Sequence, residues 1–151
     1  MPTTTLPAIV ETSLQQALVD LVDLALQGKQ AHWNLHGPHF RSVHLQLDEI
    51  IAEVRAGSDE VAERLVAVGG TPDARAATVA EGSGLPRLDG GPLATDKVIR
   101  MFEERLQGVA DRIKERLDEL DETDHLSADL LIGIARGLEK QAWMLRASTS
   151  D

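Results

Sequence analysis

Cysteine is absent from the 151-residue sequence, which excludes disulfides, thiolate catalysis and metal sites with cysteine ligands. Long apolar runs are also absent, and residues 1–12 contain no basic segment followed by an apolar stretch. These two absences argue against a membrane span and a secretory leader, so we expect a cytoplasmic protein. Aromatic residues make up only 3%, with two Trp, two Phe and no Tyr. Aliphatic side chains must therefore fill the core, which favours a helical bundle.

Basic residues are the scarcer charged class, with 15 Lys and Arg against 25 Asp and Glu, and the formal net charge is −10. A surface of this sign repels phosphate backbones and attracts cations, although simple solubility is the commoner explanation for such a charge. The length fits one domain over 1–151, with a short N-terminal tail at 1–11 and a short C-terminal tail at 148–151.

Four segments repeat apolar residues at three- and four-residue steps, which predicts helices over about 12–36, 39–68, 95–120 and 127–147. Thr12 and Gln15 fit a capping box at the start of the first helix. Gly57 lies inside the second helix, where we expect it to be tolerated. The connection at 71–92 has room for one short helix, and its length indicates a crossover along the bundle. The predicted fold is therefore an all-α four-helix bundle with a long crossover between the second and third helices.

Two pairs of polar residues recur along the second predicted helix. His44 and Asp48 are four residues apart, as are Asp59 and Glu63, so each pair shares one helix face. The eleven residues from Asp48 to Asp59 make close to three turns, so both pairs point the same way. They also rise about 16 Å, whereas metal–ligand bonds are roughly 2 Å long. The two pairs of one chain therefore cannot bind the same ion.

A two-fold axis near Glu53 and Val54 would resolve this separation. If the helix packs antiparallel against its own copy, His44 and Asp48 of one chain face the two carboxylates of the other, and the contact builds two equivalent sites. His32, near the end of the first helix, is then placed to complete the imidazole end of each site. A mixed set of imidazole and carboxylate ligands with open positions suits Fe(II), Mn(II) or Zn(II).

Each of these features also has a plainer interpretation. The His44 and Asp48 pair could be a surface hydrogen bond, and the stretch SDEVAERL that contains Asp59 could be a solvated charged face. His32 and His36 could form a zinc pair of their own, or could favour the dipole at the helix C-terminus.

Several stretches of the sequence closely resemble the signature of the Dps family, the DNA-protecting mini-ferritins of bacteria, and the similarity covers nearly the whole chain. They are AHWN at 31–34, GPHF at 37–40, VH followed by Asp four residues later at 43–48, DEVAERL at 59–65, and DLLIGIARGLEKQAWMLRA near the C-terminus. The resemblance implies a hollow dodecameric shell with a ferroxidase centre at each two-fold interface. The residues that match the ferroxidase ligands are His32, His44, Asp48, Asp59 and Glu63. Trp33 matches the tryptophan beside that centre.

The resemblance also implies the chemistry. We expect iron as the bound metal and Fe(II) as the substrate, oxidised with hydrogen peroxide and stored as ferric mineral, which protects against oxidative stress. Acidic residues near the start of the fourth helix line the iron-entry pores of the family, and Asp129 and Asp124 match this pattern. For both residues the alternative is a favourable interaction with the helix dipole.

The sequence departs from the family in its tails. Many members bind DNA through a basic tail, but residues 1–11 contain no Lys or Arg, so we expect weak or no DNA binding and no nucleoid association. A larger ferritin would need two Glu-x-x-His motifs, and only Glu122 and His125 have that spacing. A non-enzymatic DNA-compacting protein and a helical interaction module are two competing hypotheses for the function.

Overall fold

The computed structural model describes residues 5–149, which form six helices and two very short strands. The elements are α1 (Ala8–Asn34), β1 (Leu35–His36), α2 (Phe40–Ala67), α3 (Ala76–Gly82), β2 (Leu93–Ala94), α4 (Thr95–Glu115), α5 (Leu117–Thr123) and α6 (His125–Ala147). None of the helices between residues 5 and 149 is long and apolar enough to cross a membrane.

Four long helices form the bundle, as the sequence predicted. Helix α1 packs chiefly against α2, and α4 packs chiefly against α6. Strands β1 and β2 pair in parallel, with Leu35 opposite Leu93, so the start of α4 lies at the same end as the start of α2. The chain from the end of α2 to β2 must therefore travel back along the bundle. This confirms the crossover, which carries the short helix α3.

Buried polar contacts fix the crossover to the bundle. The carboxylate of Asp20, which is only 1% exposed, accepts hydrogen bonds from Gly84 N (2.8 Å) and Arg112 Nε (3.0 Å). A Cβ at Gly84 would lie 2.7 Å from Arg112 Nε, so glycine allows the guanidinium to approach. Farther along, buried Arg105 donates to Gln27 Oε1 at 2.8 Å and to two crossover carbonyls.

The start of α1 differs from the prediction. The helix begins at Ala8, directly after Pro7, whose fixed backbone angle (φ −58°) suits the residue before a first turn. Residues 8–11 of the predicted tail are therefore helical. Thr12 lies inside the helix, and the amide side chain of Gln15 bonds the backbone of Asp73 instead of closing a capping box. Of the rest of the predicted tails, residues 5–7 and 148–149 lie outside the helices, and residues 1–4 and 150–151 lie outside the described residues.

The third predicted helix is interrupted earlier than expected. Helix α4 ends at Glu115, and α5 begins after Arg116 and keeps Leu120 fully buried. A break between helices was predicted at 121–124, but only Asp124 lies between α5 and α6, and its side chain caps the first turn of α6. Gly57 lies inside the unbroken helix α2, as predicted, and packs beside Ile134 of α6.

Candidate metal centre

Two histidines on neighbouring helices hold each other in place. His32 lies in the last turn of α1 and His44 in the first turns of α2. The Nδ1 of His32 bonds the backbone carbonyl of His44 at 2.8 Å, and the Nδ1 of His44 bonds the carbonyl of His32 at 2.9 Å. Because a carbonyl oxygen only accepts, both Nδ1 atoms must donate a proton. In the neutral imidazoles Nε2 then carries the free lone pair that a metal ligand requires.

Ring stacking fixes the orientation of the same imidazoles. The His32 and His44 rings stack with centroids 3.6 Å apart and planes 13° apart. Phe40 stacks on His44 at a centroid distance of 4.9 Å. His32 is buried and His44 is half-buried, so both rings are held at the edge of the bundle core. Local packing thus fixes the orientation of both imidazole rings.

Asp48 lies one turn beyond His44 and forms an ion pair that the sequence pattern did not indicate. Its Oδ1 accepts a hydrogen bond from Lys29 Nζ at 2.7 Å and lies 3.5 Å from His32 Nδ1. The hydrogen bond from Lys29 lowers the pKa of Asp48 below its ordinary value, against an opposing effect of burial, and the nearby imidazoles act in the same direction as Lys29. The carboxylate is therefore ionised over the whole physiological range. The position of Lys29 one turn before His32 indicates that it lies near the imidazoles, but its pairing with Asp48 on another helix follows only from the structure.

The other two predicted ligands lie apart from this cluster. Asp59 and Glu63 are exposed on α2, on the face that carries Asp48 but farther along the helix. Within residues 5–149 of one chain, no three His, Asp or Glu side chains converge to hold a metal ion. The predicted ligands within one described chain thus form two separate groups, one near each end of α2.

Small side chains lie between the two groups. Ala52 and Ala56 are exposed at the level where the sequence predicts the two-fold axis. The side chain of Val54 is buried in the core of its own chain, and Glu53 accepts a hydrogen bond from Gln141 of α6 at 3.1 Å. Two of the exposed side chains at the middle of α2 are therefore small, and the long side chain of Arg55 is exposed beside them.

Large apolar side chains are exposed near the ligand groups. Trp33, next to His32, is 67% exposed, and Leu45 and Val66 are 44% and 58% exposed on α2. Single exposed apolar side chains are common on protein surfaces, so these three do not by themselves identify an interface.

The two predicted pore residues differ in their surroundings. Asp124 accepts hydrogen bonds from the backbone of Ser127 and from Arg64 Nη2, which lies 3.1 and 3.0 Å from its two oxygens. Its charge is thus matched by Arg64, a pairing that the sequence pattern did not indicate. Asp129 is exposed and lines a groove of about 360 Å³ between α2 and α6, together with Glu60. A pore role for either residue stays a prediction.

Comparison with known proteins identifies the family. The ferritin-like domain family matches residues 11–151. A DNA protection during starvation protein of Agrobacterium fabrum is 35% identical, over 91% of this chain and 86% of that protein. DNA protection during starvation protein 2 of Deinococcus radiodurans is 36% identical over 89% of this chain. The chain spans 56% of the length of that relative.

Solved structures agree with this similarity. Dps92 of Deinococcus radiodurans superposes with a TM-score of 0.90 at 35% identity, over 92% of this chain and 84% of that chain. The Dps of Microbacterium arborescens, solved in a high iron form, superposes with a TM-score of 0.87 at 32% identity, over 93% and 91% of the two chains. The present chain is thus a ferritin-like helical bundle. Within that class it belongs to the Dps family, the DNA-protection-during-starvation proteins.

Proposed function

We propose that the protein stores iron and oxidises Fe(II) at sites completed by two subunits. The observation that carries the proposal is the division of one exposed helix face. His44 and Asp48, joined by His32, form one group of ligands, and Asp59 and Glu63 form the other, about 16 Å away along the helix. An antiparallel copy of α2 brings complementary groups together twice, as an isologous contact requires.

The ligand types suit iron as a substrate. The two imidazoles offer nitrogen ligands, and the three carboxylates supply the negative charge that attracts a divalent cation. Five side chains shared between two chains leave open positions for an oxidant. Two Fe(II) ions each give up one electron, and hydrogen peroxide accepts both electrons with two protons to form two water molecules. The ferric product hydrolyses and accumulates as mineral, and the removal of both reactants limits oxidative damage.

The same proposal includes the assembly and the cellular context. Twelve copies form a closed shell, whose two-fold contacts build the sites and whose cavity holds the mineral. Asp129 lines the entry route of the iron. We place the protein in the cytoplasm, without association with the nucleoid, because the net charge of −10 on each chain opposes phosphate contacts. The same charge disfavours non-enzymatic DNA compaction as the main function.

Peroxide-driven iron loading tests the proposal. Native mass spectrometry first establishes that the wild type and variants assemble alike. The wild type should then oxidise Fe(II) rapidly and retain ferric iron on a native gel, whereas His44→Ala and Asp59→Asn should each lose most of the oxidation rate. Asp89→Asn, which changes an exposed carboxylate of the crossover, is the matched control and should behave as wild type. An Asp59→Asn shell that oxidises Fe(II) at the wild-type rate would contradict the two-chain site.

A further inference from the structure

The crossover between α3 and β2 carries a reactive pair of neighbouring residues, Asp89 and Gly90. The sequence Asp-Gly occurs once in the chain. Residues 83–92 form no helix or strand, and both residues of the pair are exposed. Because glycine has no Cβ, its backbone adopts many conformations and its nitrogen is poorly shielded. The pair therefore places a carboxyl group next to an accessible backbone nitrogen in an irregular segment.

Contacts do not fix the conformation of the segment around this pair. A Cβ placed on Gly90 or on Gly91 would meet no atom within 4 Å. Within residues 5–149, no hydrogen bond or ion pair holds the Asp89 carboxylate, and the Gly90 nitrogen donates to no carbonyl. The carboxyl carbon of Asp89 can therefore approach the Gly90 nitrogen without breaking a contact of the folded chain.

Two other exposed or half-buried aspartates lack this freedom. Asp96 is more exposed than buried, but it lies in the first turn of α4, where the backbone is held in the helical conformation. Asp73 lies in the irregular chain before α3, but its carboxylate accepts hydrogen bonds from the backbone nitrogen and the guanidinium of Arg75. Both residues also precede a residue with a Cβ. They are therefore internal controls for Asp89.

We propose that Asp89 is a site of spontaneous conversion to isoaspartate in the folded protein. The Gly90 nitrogen attacks the side-chain carboxyl carbon of Asp89, a C–N bond forms, and the carboxyl hydroxyl leaves as water with the amide proton. The product is a five-membered succinimide ring, which a second water molecule opens. Cleavage at the side-chain carbonyl restores aspartate. Cleavage at the main-chain carbonyl gives isoaspartate, which lengthens the main chain by one methylene and leaves the mass unchanged.

The flanks of the segment indicate that the fold should survive this change. On one side, Arg105 Nη2 donates to the carbonyl of Arg87 at 3.1 Å, and on the other, Leu93 pairs with Leu35 between the two strands. The added methylene falls between these two anchors, in the exposed part of the crossover. We therefore expect modified chains to keep their helix content and their assembly. The modification requires only water and is independent of the proposed iron chemistry.

Peptide mapping of the aged, assembled protein tests the inference. The protein is incubated for weeks without iron or peroxide, in a mildly acidic buffer that favours the protonated carboxyl. Trypsin cleaves after Arg87 and Lys97, so one peptide contains both Asp89 and Asp96. Electron-transfer fragmentation then distinguishes isoaspartate from aspartate at each position. Isoaspartate should accumulate at Asp89, whereas Asp96 and Asp73 should remain aspartate.

Gly90→Ala is the matched variant. Its methyl group fits the open space at Gly90 but hinders the backbone nitrogen, so isoaspartate should form more slowly at Asp89 by on the order of tenfold. Circular dichroism and native mass spectrometry should show the same fold and assembly for the variant and the wild type. An aged wild type without isoaspartate at Asp89 would overturn the inference. Equal accumulation at Asp73 or Asp96, or a Gly90→Ala variant that converts at the wild-type rate, would also overturn it.

Discussion

Mixing two defective variants gives the sharpest test of a site built from two chains. His44→Ala damages the imidazole group of ligands, and Asp59→Asn damages the carboxylate group at the other end of α2. Each variant alone makes a shell in which every site carries a defect. In a mixed two-fold pair, one site combines the intact imidazole group of one chain with the intact carboxylate group of the other. The second site of that pair carries both defects.

The expected recovery of oxidation activity follows from the fraction of sites that are intact. If the chains associate at random in equal amounts, half of the two-fold pairs are mixed, and each mixed pair has one intact site of two. The shell should therefore regain about one quarter of the wild-type sites, by the symmetry of an isologous contact. The variants are refolded together with different affinity tags, mixed shells are isolated with both tags, and peroxide-dependent Fe(II) oxidation is measured per chain.

A second mixture supplies the control. His44→Ala and Asp48→Asn both damage the same group of ligands, so no pairing of these chains restores a complete site, and the mixture should stay inactive. Equal recovery in both mixtures, or no recovery in the first, would refute the shared-site reasoning. Ligands that met within one chain would give no recovery in either mixture.

The remaining predictions concern Asp124, the pair of His125 and Asp121, and the interaction of the shell with DNA. Asp124→Ala removes a helix cap and should lower the free energy of unfolding by about 0.5–2 kcal/mol in a denaturant titration. Burial alone would raise the pKa of Asp124, but hydrogen bonds from Ser127 and Arg64 lower it below its ordinary value. Ionised Asp124 therefore stabilises the folded protein above the ordinary carboxyl pKa, and this stabilisation should be lost as the pH falls through the lowered pKa. The hydrogen bond that His125 donates to the Asp121 carboxylate raises the pKa of His125 above 6.5. The charged pair should therefore stabilise the protein below pH 6.5 and lose this effect as the pH rises through the raised pKa. Asp121→Asn should return the pKa of His125 toward 6.5 in an NMR titration. A gel shift of the assembled shell with duplex DNA at low salt should show no complex, because counterion release needs several clustered Lys or Arg.

Most of the helical framework was predictable because helix periodicity is a local property. The apolar repeats located all four long helices, and the length of the connection at 71–92 indicated the crossover. The errors are at helix ends. Thr12 resembles a cap and so predicts a late start of α1, but Val10 is buried and extends the apolar stripe back to Pro7. The turn at Arg116 has no glycine or proline to mark it.

The candidate site was predictable only in part. The distance of His44 and Asp48 from Asp59 and Glu63 follows from the rise of one helix. Within the described part of a single chain, no three His, Asp or Glu side chains converge. The protonated atom of each imidazole did not follow from the sequence. It depends on a carbonyl of another helix, supplied to His32 by a residue twelve positions away.

The sequence by itself determined which ligand types this protein carries and how they are spaced along α2, because the geometry of a helix is set by its own residues. Only the tertiary structure determined which charged side chains lie next to the acidic ones. Lys29 meets Asp48 across nineteen positions and Arg64 meets Asp124 across sixty, and both pairs exist because helix packing brings distant segments together. Charge neutralisation depends on distance in space, so the ion pair between Lys29 and Asp48 could be found only after the fold was known.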